Sequence, residues 1–186
     1  MRTLVFCLEE PSAKEMLQGV LPKILPDDVT TRYIVFQGKQ DLEKQLVRRL
    51  RLWQAPNTQF VVMRDQDSAD CKDVKAKLVD LCERAGRPDA LVRVACHELE
   101  SFYLGDLTAV EAGLRLTGLA RRQLSSNFRA PDHLANPAQE IKRLTNGKYQ
   151  KVSGSRAIGP HLKIEENRSN SFSNLITGVR KLLAGN

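Results

Sequence analysis

Apolar residues recur along this chain with two alternating periods. Short runs rich in β-branched and aromatic residues occupy Thr3–Leu8, Arg32–Phe36, Phe60–Met63 and Ala90–Ala95, and each predicts a buried strand. Between them the apolar positions fall three and four residues apart. Met16, Leu17, Val20, Leu21 and Ile24 mark a first helix that Pro11-Ser12 opens and that Pro22 and Pro26 kink and end. After Gly38, Leu42, Leu46, Val47, Leu50 and Trp53 predict a helix over about 41–53, with Arg48, Arg49 and Arg51 largely off its buried face. Val74, Leu78, Leu81 and Cys82 predict another over about 70–85, capped by Ser68 or Asp70.

The order β-α-β-α-β-α-β predicts an α/β fold, a mostly parallel Rossmann-like sheet with helices on both faces. Helical segments continue through Leu116 and around 119–124. Beyond them one helix is predicted near 138–144 and a last one over about 171–183, with loops at Ser153-Gly154-Ser155 and Gly159-Pro160. Residues 1–116 thus form the α/β core, and 117–186 a mainly helical, loop-rich C-terminal extension packed on it. No internal repeat or low-complexity segment interrupts this.

Composition adds a few bounds. With 41% hydrophobic and 27% charged residues the chain is an ordinary folded protein rather than a disordered one. No apolar run approaches the roughly 20 residues of a membrane span, and no signal peptide precedes the first strand, so a cytoplasmic location is expected. The net charge of +7 suits a polyanionic partner such as a DNA or RNA backbone. Cys7, Cys71, Cys82 and Cys96 form no CxxC pair and read as reduced, mostly buried thiols. Homo-oligomerisation, through an edge strand or the last helix, is left open.

Acids recur where the strands end: Glu9-Glu10, Asp65 with Asp67, and Glu98 with Glu100. If the strands are parallel, all three clusters share one sheet edge, where α/β proteins place their sites. In extended backbone residues i and i+2 point the same way, so Asp65 and Asp67 are expected to converge. Hard oxygen ligands of this kind suit Mg²⁺ or Mn²⁺, and such a site suits phosphoryl chemistry. Each acid is alternatively a plain helix cap. Within a helix Glu98 and Glu100 point about 200° apart, so one of the two is expected to reach the site. Lys151 is the preferred cation among Lys148, Lys151, Arg156 and Lys163 for stabilising developing charge, while Arg168 is a candidate to pair with the acids.

Other chemistries fail on spacing. His97-Glu98 lacks a second histidine, since position 101 is Ser101, and His133 and His161 are isolated. No GxxxxGK[ST], GxGxxG or GxSxG motif occurs, so ATP-driven activity would need a partner.

An acid closing the first strand, followed by a strand ending in Asp-x-Asp, resembles the Toprim domain of topoisomerases, primases and the nucleases of the overcoming-lysogeny-defect class. By that pattern Glu9 takes the glutamate position and Asp65 and Asp67 the aspartate positions of a Mg²⁺ site acting on phosphodiesters. Glu10 stands where a glycine is usual, leaving open which glutamate faces the metal. Across nearly its whole length the chain is similar to a family of short Toprim-like bacterial proteins, a domain of unknown function often encoded beside an ATPase of the ABC or structural-maintenance type. The likeness rests on Leu8-Glu9-Glu10-Pro11-Ser12, Arg64-Asp65-Gln66-Asp67-Ser68, His97-Glu98-Leu99-Glu100 through Leu104-Gly105-Asp106, and Asn167-Arg168-Ser169-Asn170-Ser171-Phe172.

The resemblance implies a metal-dependent nuclease, the effector subunit of an ATPase-coupled anti-phage or DNA-processing system. Glu9, Asp65, Asp67, Glu100 and Lys151 would be catalytic, with Glu9, Glu10, Asp65, Asp67, Glu98 and Glu100 as the ligand pool. The alternatives are a non-catalytic docking or regulatory subunit and a phosphohydrolase for small molecules.

Overall fold

A computed structural model describes residues 2–185. Strands β1 (Arg2–Leu8), β2 (Val29–Val35), β3 (Thr58–Asp65) and β4 (Leu91–Ala95) form one parallel sheet in the order β2-β1-β3-β4. Helices α1 (Pro11–Val20), α2 (Lys39–Arg51) and α3 (Cys71–Arg84) make the connections, and a C-terminal set follows: α4 (Glu100–Leu104), α5 (Leu107–Gly113), α6 (Pro137–Leu144), α7 (Lys151–Ile158) and α8 (Asn170–Ala184). The α/β class and the helical C-terminal end therefore stand as read from the pattern.

Side-chain alternation divides the core into two layers. Val5, Cys7, Phe60, Val62, Val92 and Val94 face α2 and α3. Leu4, Phe6, Leu8, Val61, Met63 and Ala95 face a larger cluster built with α1 and α4–α8. That cluster runs from Leu4 to Leu183, so one apolar interior joins residues on either side of position 116. The order in which strands are added reverses at β1: β2 lies to one side of it, β3 and β4 to the other, all of them parallel. The crevice beyond the carboxyl ends of β1 and β3 is thus the switch point where such sheets open for a ligand.

Some local expectations change. Val29–Thr31 join β2, because Val29 pairs with Arg2 at the start of β1. α1 ends at Val20 and tightens into a 3-10 turn over Leu21–Lys23, and residues 120–124 likewise form 3-10 rather than α-helix. Ser153-Gly154-Ser155 is not a loop but the middle of α7. Its small residues serve contacts instead of propensity: a Cβ on Gly154 would lie 2.6 Å from the Tyr149 ring, and Ser155 Oγ accepts from Tyr103 at 2.6 Å.

The crossing of α1 with α7 and the turn after it is set by two glycines. A Cβ on Gly19 would stand 2.5 Å from Pro160 N, and one on Gly159 2.7 Å from the Met16 carbonyl oxygen. α8 is moored by the Asn-Arg-Ser motif. Asn167 Nδ2 donates to the Phe102 carbonyl at 2.8 Å, and Ser169 Oγ accepts from Phe172 N while donating to Asp132 at 2.6 Å. The Arg168 side chain is exposed and, among the described residues, ion-pairs with no acid, so it does not join the acidic cluster. No helix among the described residues is long and apolar enough to cross a membrane.

Candidate functional site

Glu9 directly follows β1 and keeps both neighbouring strand ends in register. Its N–H donates to the Met63 carbonyl at 3.3 Å, and its own carbonyl accepts from Gly38 N at 3.0 Å. The Glu9 side chain reaches across the switch point, where Oε2 accepts the Asp65 N–H at 3.1 Å. Asp65, the last residue of β3, continues the alternation of Val61 and Met63 and turns toward α1 and the C-terminal helices. It is only 7% exposed.

Three further groups close around that carboxylate. Glu10, the N-cap residue of α1, accepts from Ser12 Oγ at 2.7 Å and from Lys151 Nζ at 2.6 Å. Lys151, the first residue of α7, thereby bridges α7 to the acids. Glu100, the first residue of α4, is fully buried; its Oε1 accepts the Tyr149 hydroxyl at 2.8 Å, and its Oε2 has no hydrogen-bond partner.

The electrostatics follow from this packing. Burial, then repulsion from Glu10, Glu100 and Glu9, holds Asp65 well above the usual carboxylate range, with Lys151 opposing. Burial likewise raises Glu100 against the hydrogen bond from Tyr149, and it raises Glu9 against that from Asp65 N. Burial alone would lower Lys151, but Glu10, Glu100 and Asp65 outweigh it and keep the ammonium charged.

Asp67 does not converge with Asp65, contrary to the expectation from an extended Asp-x-Asp. The strand ends at Asp65, and Asp67 takes a left-handed conformation with φ 57°. Its N–H donates to the His97 carbonyl at 2.7 Å; His97 is itself left-handed, with φ 58°. The Asp67 carboxylate pairs with Lys39 of α2 at 2.8 Å and lies 3.6 Å from Arg64. Arg64, one residue out of phase with Asp65, points to the α2 side, where it also binds Glu43 at 2.7 Å. Glu9 lies between the two groups, with Arg64 Nε at 3.9 Å from its Oε2.

Glu98 is likewise drawn away: its Oε2 accepts Ala138 N at 2.7 Å and caps α6. Of the two β4-end glutamates, only Glu100 faces Asp65. Arg156 and Lys163 are engaged elsewhere, with Glu15 and Glu166.

A divalent cation can be tested against these donors. Among the described residues, no three histidine, cysteine, aspartate or glutamate side chains come together tightly enough to hold a metal ion as they stand. The chemistry of the donor set nonetheless suits one: hard carboxylate oxygens of Asp65, Glu10 and Glu100, one of them buried without a partner, around a lysine that supplies positive charge. Sequence reasoning missed Arg64 and Lys39, which neutralise the Asp67 side, and Tyr103 and Ser155, which support Tyr149 and α7. Arg64 was legible as the residue alternating with Asp65.

Fold and site together define a four-stranded parallel α/β protein with two buried carboxylates, Asp65 and Glu100, beside the partly exposed pair of Glu10 and Lys151 at its switch point. A family model described as a domain of unknown function (DUF4276) matches residues 8–180, and the chain belongs to that family. The matched span holds every acid of the cluster. Searches of curated proteins and of solved structures returned no match.

Proposed function

We propose that this protein is a Toprim-class, metal-dependent phosphodiesterase that cleaves a nucleic acid backbone, as the effector subunit of a system with an ABC- or structural-maintenance-type ATPase. The observation that carries the reading is the buried pair Asp65 and Glu100 at the switch point, with Glu100 Oε2 unpartnered. Burying several carboxylates together costs free energy, and a helix cap needs only one of them.

Glu10, Asp65 and Glu100 would hold Mg²⁺ or Mn²⁺, with Glu9 and Asp67 in the positions the Toprim pattern names. Such an ion neutralises a phosphate and lowers the pKa of bound water. Lys151 offsets charge developing on the phosphate, and Glu100, fixed by Tyr149, offers Oε2 to a proton. Exposed Arg48 and Arg49 on α2 offer contacts to the backbone without reading sequence.

The test is cleavage of supercoiled plasmid with Mg²⁺, Mn²⁺ or EDTA, beside an Asp65→Asn, Glu100→Gln variant and with the neighbouring ATPase and nucleotide added. Metal-dependent cutting lost in the variant supports the reading; none under any condition defeats it.

One observation favours a second reading, a non-catalytic docking subunit. Asp67 is neutralised by Lys39, and Glu10 by Lys151, so these two acids are paired within the fold and need no metal. Under that reading the same variant keeps its cellular function.

A further inference from the structure

Two of the four cysteines, 25 positions apart in the chain, are brought together by the fold. Cys96 follows β4 and continues the alternation of Val92 and Val94, which face α3. Cys71 is the first residue of α3 and packs against that same layer. Both residues line one cavity of about 330 Å³ beside β4, shared with Lys75 one turn further along α3. Each is partly exposed, whereas Cys7 and Cys82 are buried.

The chain around them is held in register. Gln66 N donates to the Ala95 carbonyl at 2.9 Å, Asp67 N to that of His97 at 2.7 Å, and His97 N to Gln66 Oε1 at 3.2 Å. The segment leading into Cys71 is therefore fastened to the residues on either side of Cys96. Cys96 N is tied in turn to Ser171 Oγ of α8 at 3.3 Å. A disulfide here would join two segments whose backbones are already hydrogen-bonded to each other, and backbone movement is the usual obstacle to such a bond.

We propose that Cys71 and Cys96 form a reversible intramolecular disulfide by exchange with a low-molecular-weight disulfide of the glutathione type. The Cys71 thiolate attacks one sulfur of the small disulfide and expels the other half as a thiolate, leaving a mixed disulfide. The Cys96 thiol then gives up its proton as its sulfur attacks the Cys71 sulfur and expels the second half. The two protons lost by the cysteines go to the two released thiolates, so the protein is oxidised by two electrons and one small disulfide is reduced to two thiols. The link would join the first turn of α3 to the end of β4, closing the base of the segment that carries Asp67. It stands whatever the acids do.

The experiment treats the folded full chain with oxidised glutathione, quenches with an alkylating reagent, digests without reductant and maps the peptides by mass. The expected result is a Cys71–Cys96 cross-link that dithiothreitol reverses, with Cys7 and Cys82 alkylated only after unfolding. In Cys96→Ser, Cys71 should instead keep a stable glutathione adduct. A wild-type chain that ends with a glutathione adduct and no cross-link, that cross-links through Cys7 or Cys82, or that keeps both thiols free would overturn the proposal.

Discussion

Tyr149 and Glu100, 49 positions apart, share a buried hydrogen bond in which the phenol donates to Oε1 at 2.8 Å and leaves Oε2 alone. The Tyr149 hydroxyl is the carboxylate's one hydrogen-bond donor from a side chain among the described residues. Tyr149→Phe should therefore destabilise the fold by about 1–3 kcal/mol, the cost of a buried polar group losing its partner. Paired with Glu100→Leu the loss should be much smaller than the sum of the two singles, because the stranded acid is then gone. Urea unfolding of the four-variant cycle measures this; additive losses would show that the bond carries no coupling.

The buried acids also set a pH dependence. Folding raises Asp65, Glu100 and Glu9, so the native chain binds more protons than the unfolded one from the ordinary range, about 3.9 for Asp and 4.3 for Glu, up to the raised values. In that window these groups make stability fall as pH rises, and the penalty persists above it. Asp65→Asn should accordingly melt above wild type at neutral pH, by about 2–4 °C for each kcal/mol relieved. The advantage should shrink on acidification and vanish below about pH 4. Thermal scans from acid to neutral pH test the sign, and an Asn variant that melts lower at neutral pH would show a stabilising ionised Asp65.

The sheet was legible because buried parallel strands write themselves as compact apolar runs, and all four appear within three residues of their predicted ends. α7 was not, because Gly154 and Ser155 are chosen for what they touch, the Tyr149 ring and the Tyr103 hydroxyl, and both residues mimic a loop in sequence. The placement of Glu9 and Asp65 followed from strand ends alone. Asp67 was misplaced by assuming that extended backbone continues past Asp65, whereas its pairing with Lys39 and the hydrogen bond to His97 turn it to the opposite side. Such long-range partners leave no local periodicity to read.

A divalent ion entering the Asp65, Glu10 and Glu100 set would bind only the folded chain and stabilise it. At a hundredfold excess over its Kd the gain is about 2.7 kcal/mol. Mg²⁺ or Mn²⁺ should therefore raise the melting temperature of wild type but not of Asp65→Asn, Glu100→Gln, with Ca²⁺-free chelated protein as baseline. Arg48→Gln, on the exposed face of α2, should respond like wild type. No shift in wild type with either metal would count against metal binding at these acids, independently of any cleavage assay.

The ion pair of Glu10 with Lys151 depends on how closely α1 and α7 cross, and glycine sets that distance. Ala at Gly19 would place its Cβ 2.5 Å from Pro160 N, a backbone atom that cannot swing aside. Tightly packed interiors transmit such overlap as strain, and Gly19→Ala should cost about 1–3 kcal/mol. Gly118→Ala is the informative contrast. Its Cβ meets open space, so only the left-handed backbone at φ 82° opposes it, at roughly 1–2 kcal/mol. The two variants separate on the site rather than on stability: pushing the helices apart should lengthen the contact between Glu10 and Lys151 and lower the Lys151 pKa, which Gly118→Ala leaves alone. Lysine titration by NMR reads that difference, and an unchanged Lys151 in Gly19→Ala would mean that the helix crossing does not set the ion pair.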